Sequence, residues 1–122
     1  MSPERGEFDT RTTIAEVDPE RPRPYDTPWG SFALYTVGSR IVAASSFCPH
    51  MLGPLFQGTI AGDEVSCPWH TWRYSLATGE CTECPEDESS DPLEFCPIRL
   101  GPDGTLILAP PCREPSGYEL SP

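Results

Sequence analysis

The sequence predicts an all-β domain, and three observations carry that expectation. Sixteen prolines and ten glycines divide the 122 residues into short stretches, as turns between short strands do. The apolar runs are brief and flanked by glycine-centred turn signals. No segment repeats apolar residues at helical spacing, and no internal repeat is visible.

Taken in order, residues 1–11 are mostly polar and read as a flexible N-terminus. Residues 12–17 alternate well enough for a first strand. Residues 18–28 hold Pro19, Pro22, Pro24 and Pro28 and read as an extended loop. Residues 32–37 and 41–45 are apolar runs separated by Gly38-Ser39-Arg40, which predicts a hairpin. A second hairpin is predicted over 58–61 and 64–66 around Gly62-Asp63. Residues 72–75 read as a short strand, with a turn at Thr78-Gly79. Residues 95–100 and 105–109 flank Gly101-Pro102-Asp103-Gly104 as a third hairpin, and residues 110–122 read as a C-terminal tail. One domain is expected at this length. A small antiparallel barrel or sandwich suits such strands, because closing the sheet leaves few exposed edges.

Charge and hydropathy exclude several classes. Nineteen acids face eight arginines and no lysine, for a formal charge of −11. Nucleic acid is not an expected partner, since binding it needs a basic face. No run approaches the ~20 apolar residues that span a bilayer, and no apolar stretch follows the N-terminus as a secretory signal would. No membrane partner is therefore expected, and a cytoplasmic location is.

The chemistry concentrates in residues 48–70. Cys48-Pro49-His50 is followed after sixteen residues by Cys67-Pro68-Trp69-His70, and the two boxes contain both histidines of the chain. Two thiolates and two imidazoles can hold a tetrahedral zinc ion or a two-iron cluster. Each box lies just past the end of a predicted strand, so both fall on loops. The proline after each cysteine pushes that cysteine toward extended backbone.

The two boxes, Cys48-Pro49-His50-Met51-Leu52-Gly53-Pro54-Leu55 and Cys67-Pro68-Trp69-His70-Thr71-Trp72-Arg73-Tyr74, resemble the cluster-binding boxes of Rieske-type ferredoxins and ring-hydroxylating oxygenases. The likeness continues through Ala77-Thr78-Gly79-Glu80 and Cys96-Pro97-Ile98-Arg99-Leu100 and covers residues 12–109. It implies a Rieske [2Fe–2S] domain with a small cluster-binding subdomain, residues 47–76, set on antiparallel strands. It also implies that Cys48 and Cys67 ligate one iron of the cofactor and that His50 and His70 ligate the other. Two thiolates and an oxidised core cancel in charge, so the formal total stays at −11 and becomes −12 on reduction.

The resemblance further implies a one-electron carrier, a ferredoxin between a flavoprotein reductase and a terminal oxygenase. Such partners are expected to carry basic docking patches, and salt should weaken their association. No catalytic residue is expected: with His50 and His70 taken by the cluster, no histidine is left for a second iron site. Two alternatives stay open, the small Rieske-like subunit of an assimilatory nitrite reductase and a structural zinc module.

High-potential members of the family resemble Cys-x-His-x-x-Cys and Cys-x-Cys-His-x-Ser, with a disulfide between the loops and a serine hydroxyl on a sulfide. Here Gly53 and Trp69 stand at the extra cysteine positions and Trp72 at the serine position. A midpoint at the low end of the family range, about −150 to +300 mV, is expected. A bond from Tyr74 to Cys67 would lift it somewhat. Thr71 stands where the family usually has glycine.

Around the boxes, Trp69 is expected near the surface, with Trp72 and Tyr74 packed or shielding the cluster. Pro85 is the candidate for a loop covering the cluster from a third side. Glu80, Glu83, Glu86, Asp87, Glu88, Asp91 and Glu94 form an acidic run without a base, read as a solvated loop or a docking rim. Cys96 is expected to face the core, and Cys81, Cys84 and Cys112 to be reduced thiols.

Overall fold

The structure is a computed structural model, and it describes residues 6–48, 53–69, 72–83, 92–112 and 114–120. Among these residues there are twelve strands and two single-turn 3-10 segments, Ile14–Glu16 and Leu55–Gln57. The strands are β1 (Phe8–Thr13), β2 (Arg23–Thr27), β3 (Gly30–Val37), β4 (Arg40–Ser45), β5 (Thr59–Ala61) and β6 (Glu64–Ser66). They continue as β7 (Arg73–Ser75), β8 (Cys81–Glu83), β9 (Phe95–Cys96), β10 (Ile98–Leu100), β11 (Thr105–Leu108) and β12 (Tyr118–Glu119). Every pairing between them is antiparallel. The all-β expectation therefore matches the structure.

The strands form three sheets: β1-β11-β10, a central β12-β4-β3-β2 to which β9 adds on β4, and β5-β6-β7-β8. The central β3–β4 hairpin is the frame. Its turn is Gly38-Ser39, with Val37 paired to Arg40 and Gly38 at φ +59°. Side chains alternate across a strand, so β3 and β4 supply two cores at once. Ala33, Tyr35, Val42 and Ala44 pack toward the β5–β8 side, together with Leu55, Val65, Trp72, Tyr74, Leu76 and Phe95. Phe32, Leu34, Ile41 and Ala43 face the other way, onto Cys96, Leu106 and Leu108. Burial on both faces explains why these strands read as continuous apolar runs.

The structure departs from the sequence reading at several places, one of them β8 at the start of the acidic run. The first strand is Phe8–Thr13 and begins earlier than expected; its bulge puts Arg11 at φ +60°, with the Arg11 N–H donated to Asp9 Oδ1 at 2.8 Å. The proline-rich loop contains β2, and Pro24 is accommodated because β2 is an edge strand. The strand expected over 95–100 breaks at Pro97. There β9 leaves its pairing with β4, and β10 begins pairing with β11 in another sheet. Within the expected tail, Cys112 bridges Phe95, and β12 pairs Tyr118 with Ile41.

Candidate metal centre

Both cysteines of the boxes are delivered as the sequence predicts, one step or a few steps past a strand end. The chain leaves β4 at Ser45, and the Ser46 N–H then donates to Ser31 O at 3.1 Å. Phe47 bridges Pro54, and the Cys48 N–H donates to Gly53 O at 2.8 Å. The second box repeats this closure: just after β6, the Cys67 N–H donates to Trp72 O at 3.0 Å. Each box is thus a loop pinned at its neck, with a cysteine as the first residue of the closure and the carbonyl five residues later as the last.

The two sulfurs lie in one buried environment. Cys48 is fully buried and Cys67 nearly so, and both belong to the same core cluster as Leu55, Val65, Trp72 and Tyr74. Tyr74 Oη lies 3.5 Å from Cys48 Sγ. The sequence reading placed Tyr74 where a tyrosine bonds a ligand sulfur and raised a bond to Cys67; the contact described here is to Cys48. Tyr74 is held in β7, where it pairs with Val65 of β6.

Gly53 sets the spacing between the boxes. A β-carbon there would lie 2.9 Å from Cys67 Sγ, 3.0 Å from Trp69 Cδ2 and 3.1 Å from Trp69 Cγ. Only a residue without a side chain leaves that space open. The three aromatic residues of the second box divide as expected: Trp72 and Tyr74 are buried, whereas Trp69 is 65% exposed.

His50 and His70 lie outside the described residues, as do Pro49, Thr71, Cys84, Pro85, Glu86, Asp87, Glu88 and Asp91. Among the described residues no group of three or more His, Cys, Asp or Glu side chains gathers as a metal site. The described half of the implied donor set fits a two-iron cluster: two soft thiols, carried on separate pinned loops in one buried environment, with a tyrosine hydroxyl at the Cys48 sulfur.

The described ends of the acidic run are anchored to the body. β8 pairs with β7, Arg73 opposite Glu83, and Arg73 Nε lies 3.5 Å from Glu83 Oε2. The Leu93 N–H donates to Gly79 O at 2.8 Å, and the Ser45 N–H donates to Glu94 O at 3.2 Å. Cys96 is buried, as expected, and burial pushes its thiol up to about 12, with the neighbouring Cys112 and Glu94 adding to the effect. Cys112 is exposed and Cys81 half-buried.

Comparison with known proteins agrees with this geometry. The Rieske [2Fe-2S] domain profile matches residues 9–98. The chain belongs to the Rieske [2Fe-2S] domain family. A stretch of 48 residues is 46% identical to the oxygenase component of a 3-ketosteroid-9-alpha-monooxygenase from Rhodococcus rhodochrous; it spans 39% of this chain and 12% of that relative. Among solved structures, the Sphingomonas yanoikuyae B1 ferredoxin superposes with a TM-score of 0.70 at 24% identity, covering 81% of this chain and 94% of that one. A chain from the complex of reduced oxygenase and oxidized ferredoxin in carbazole 1,9a-dioxygenase superposes with a TM-score of 0.73 at 22% identity, covering 93% and 98%. These likenesses place the fold among Rieske-type ferredoxins, and the family binds a [2Fe–2S] cluster. No described helix is long and apolar enough to cross a membrane.

Proposed function

We propose that this chain is a one-electron carrier that takes electrons from a flavoprotein reductase and gives them to a terminal oxygenase. Cys48 and Cys67 are the thiolate ligands of one iron, and His50 and His70 the imidazole ligands of the other. The observation that carries the reading is the matched pair of pinned loops. Each presents a buried cysteine at its neck, and each contains one histidine in sequence, two or three residues on.

When bound, a [2Fe–2S] cluster stores and releases a single electron. The protein's residues set the terms of that exchange. Tyr74 directs its hydroxyl at the Cys48 sulfur, where a hydrogen bond offsets the charge gained on reduction. Tyr74, Trp72, Leu55 and Val65 keep water from the thiol side. His50 and His70 form the exit side, because the outer nitrogens of such imidazoles are the ligand groups that face a partner. The same nitrogens would make the potential fall at alkaline pH as they lose protons. The acid-rich surface of this chain selects partners with basic docking patches.

The test is reconstitution with purified components. The expected protein carries two irons and two acid-labile sulfides, accepts one electron from a flavoprotein reductase and passes it to an oxygenase. Its association rate should fall by about tenfold or more between low and high salt, as charge-steered encounters do. A colourless protein with one zinc would overturn the reading. Stable co-purification with a large sirohaem protein would replace it with that of a nitrite reductase small subunit.

A further inference from the structure

We propose that Gly53 and Trp69 act as a clasp that positions the two ligand loops, by packing rather than by a covalent cross-link. The inference rests on the assignment of Cys48 and Cys67 as ligands. Each loop is pinned at its own neck by a backbone hydrogen bond, but those bonds fix each loop only to itself. Among the described residues, one contact that reaches between the boxes at the level of the sulfurs is Gly53 against Cys67 Sγ and the Trp69 ring.

Two features single this contact out. The first is closeness. At 2.9–3.1 Å from both the sulfur and the indole, an added β-carbon would force at least one of them to shift. The second is the placement of Trp69. An indole 65% exposed to water has no claim on the core, yet one part of its ring lies over Gly53 beside a ligand sulfur. Flat contact with a glycine lets the loops approach more closely than any pair of side chains would.

The geometry makes the clasp exchangeable for a cross-link. An added Gly53 β-carbon would stand 3.1 Å from Trp69 Cγ, one bond beyond the Trp69 β-carbon. Disulfides need β-carbons about 3.5–4.5 Å apart. Paired cysteines at 53 and 69 would therefore close with little movement. Oxidised glutathione would accept the two electrons and two protons released as the S–S bond forms, yielding two reduced glutathiones.

The experiment measures iron release from the holoprotein to a chelator, followed by loss of visible absorbance, with the midpoint potential and the visible circular dichroism of each variant as companions. Trp69→Ala and Gly53→Ala are expected to release iron about tenfold faster than wild type, the equivalent of a modest packing loss. Trp69→Phe keeps a ring on Gly53 and should stay within about twofold. The double variant Gly53→Cys, Trp69→Cys should release iron quickly when reduced and at the wild-type rate once oxidised with glutathione disulfide. Wild-type rates in Trp69→Ala, or no rescue by the oxidised double variant, would overturn the clasp. Failure of the ligand assignment looks different: Cys48→Ser and Cys67→Ser would then keep the wild-type cluster spectrum.

Discussion

Under the proposed ligand assignment, Tyr74 is placed to adjust the electron affinity of the site. Its ring is fully buried, and its hydroxyl meets the Cys48 sulfur at 3.5 Å. A net hydrogen bond contributes about 1 kcal/mol, and for one electron about 59 mV corresponds to a tenfold change. Tyr74→Phe is therefore expected to lower the midpoint by about 40 mV while leaving the cluster spectrum in place; an unmoved midpoint would show that this hydroxyl does not act on the site. Cys96 gives a prediction in pH. Its thiol is held up to about 12, first by burial, whereas in an unfolded chain it titrates near about 8.5. A raised folded value means that this group's contribution to stability is complete below about pH 8.5 and is lost as pH rises toward 12. Alkylation followed by mass spectrometry should label exposed Cys112 at pH 8 and leave Cys96 unlabelled until the protein unfolds. At this scale the sequence was readable where chemistry names itself, as in the paired Cys-x-His and Cys-x-x-His boxes. For Tyr74 the resemblance gave a bond to a ligand sulfur but not the contact with Cys48, twenty-six residues away, which is a matter of tertiary packing.

The elements that carry the site are very short, so their stability comes from close backbone packing rather than from length. β5, β6 and β7 have three residues each. Gly58, just before β5, presses on the carbonyl oxygen of Ser66, the residue that leads into Cys67. Its φ of −78° is ordinary, so it is space and not conformation that requires glycine. Gly58→Ala should destabilise the protein by about 2 kcal/mol or more and lower its thermal midpoint by about 5–10 °C. Gly62 is the contrast: it sits at φ +64° in the β5–β6 turn with nothing near its open side. Gly62→Asn should change the midpoint little, because asparagine tolerates that conformation. The hairpins around Gly38 and Gly62 were legible because glycine in a two-residue turn is a local signal. β2 and β12 were not. One is a proline-containing edge strand and the other a two-residue strand, and both exist through pairing with the central sheet rather than through any pattern of their own. The break at Pro97 was not read either: the change of sheet that it marks depends on partners far away in sequence.

At the scale of the molecule, the central sheet does the organising. One face of β3 and β4 packs on the layer of β10 and β11, and the other supports the loops that carry Cys48 and Cys67. The family resemblance implies a base and a cluster-binding subdomain; composition and spacing alone reached only an antiparallel β-domain with ligand boxes past strand ends. In the proposed carrier, a formal charge of −11 would favour basic partners. The account's central claim is a low-potential, one-electron Rieske centre, and an EPR-monitored redox titration of the purified protein tests it most directly. The account predicts a Rieske-type signal that appears on one-electron reduction near about −150 mV, the low end of the family range. A midpoint well above zero would contradict the argument from the missing inter-loop disulfide and serine. No signal at all, with zinc on metal analysis of anaerobically prepared protein, would contradict the electron-transfer function itself.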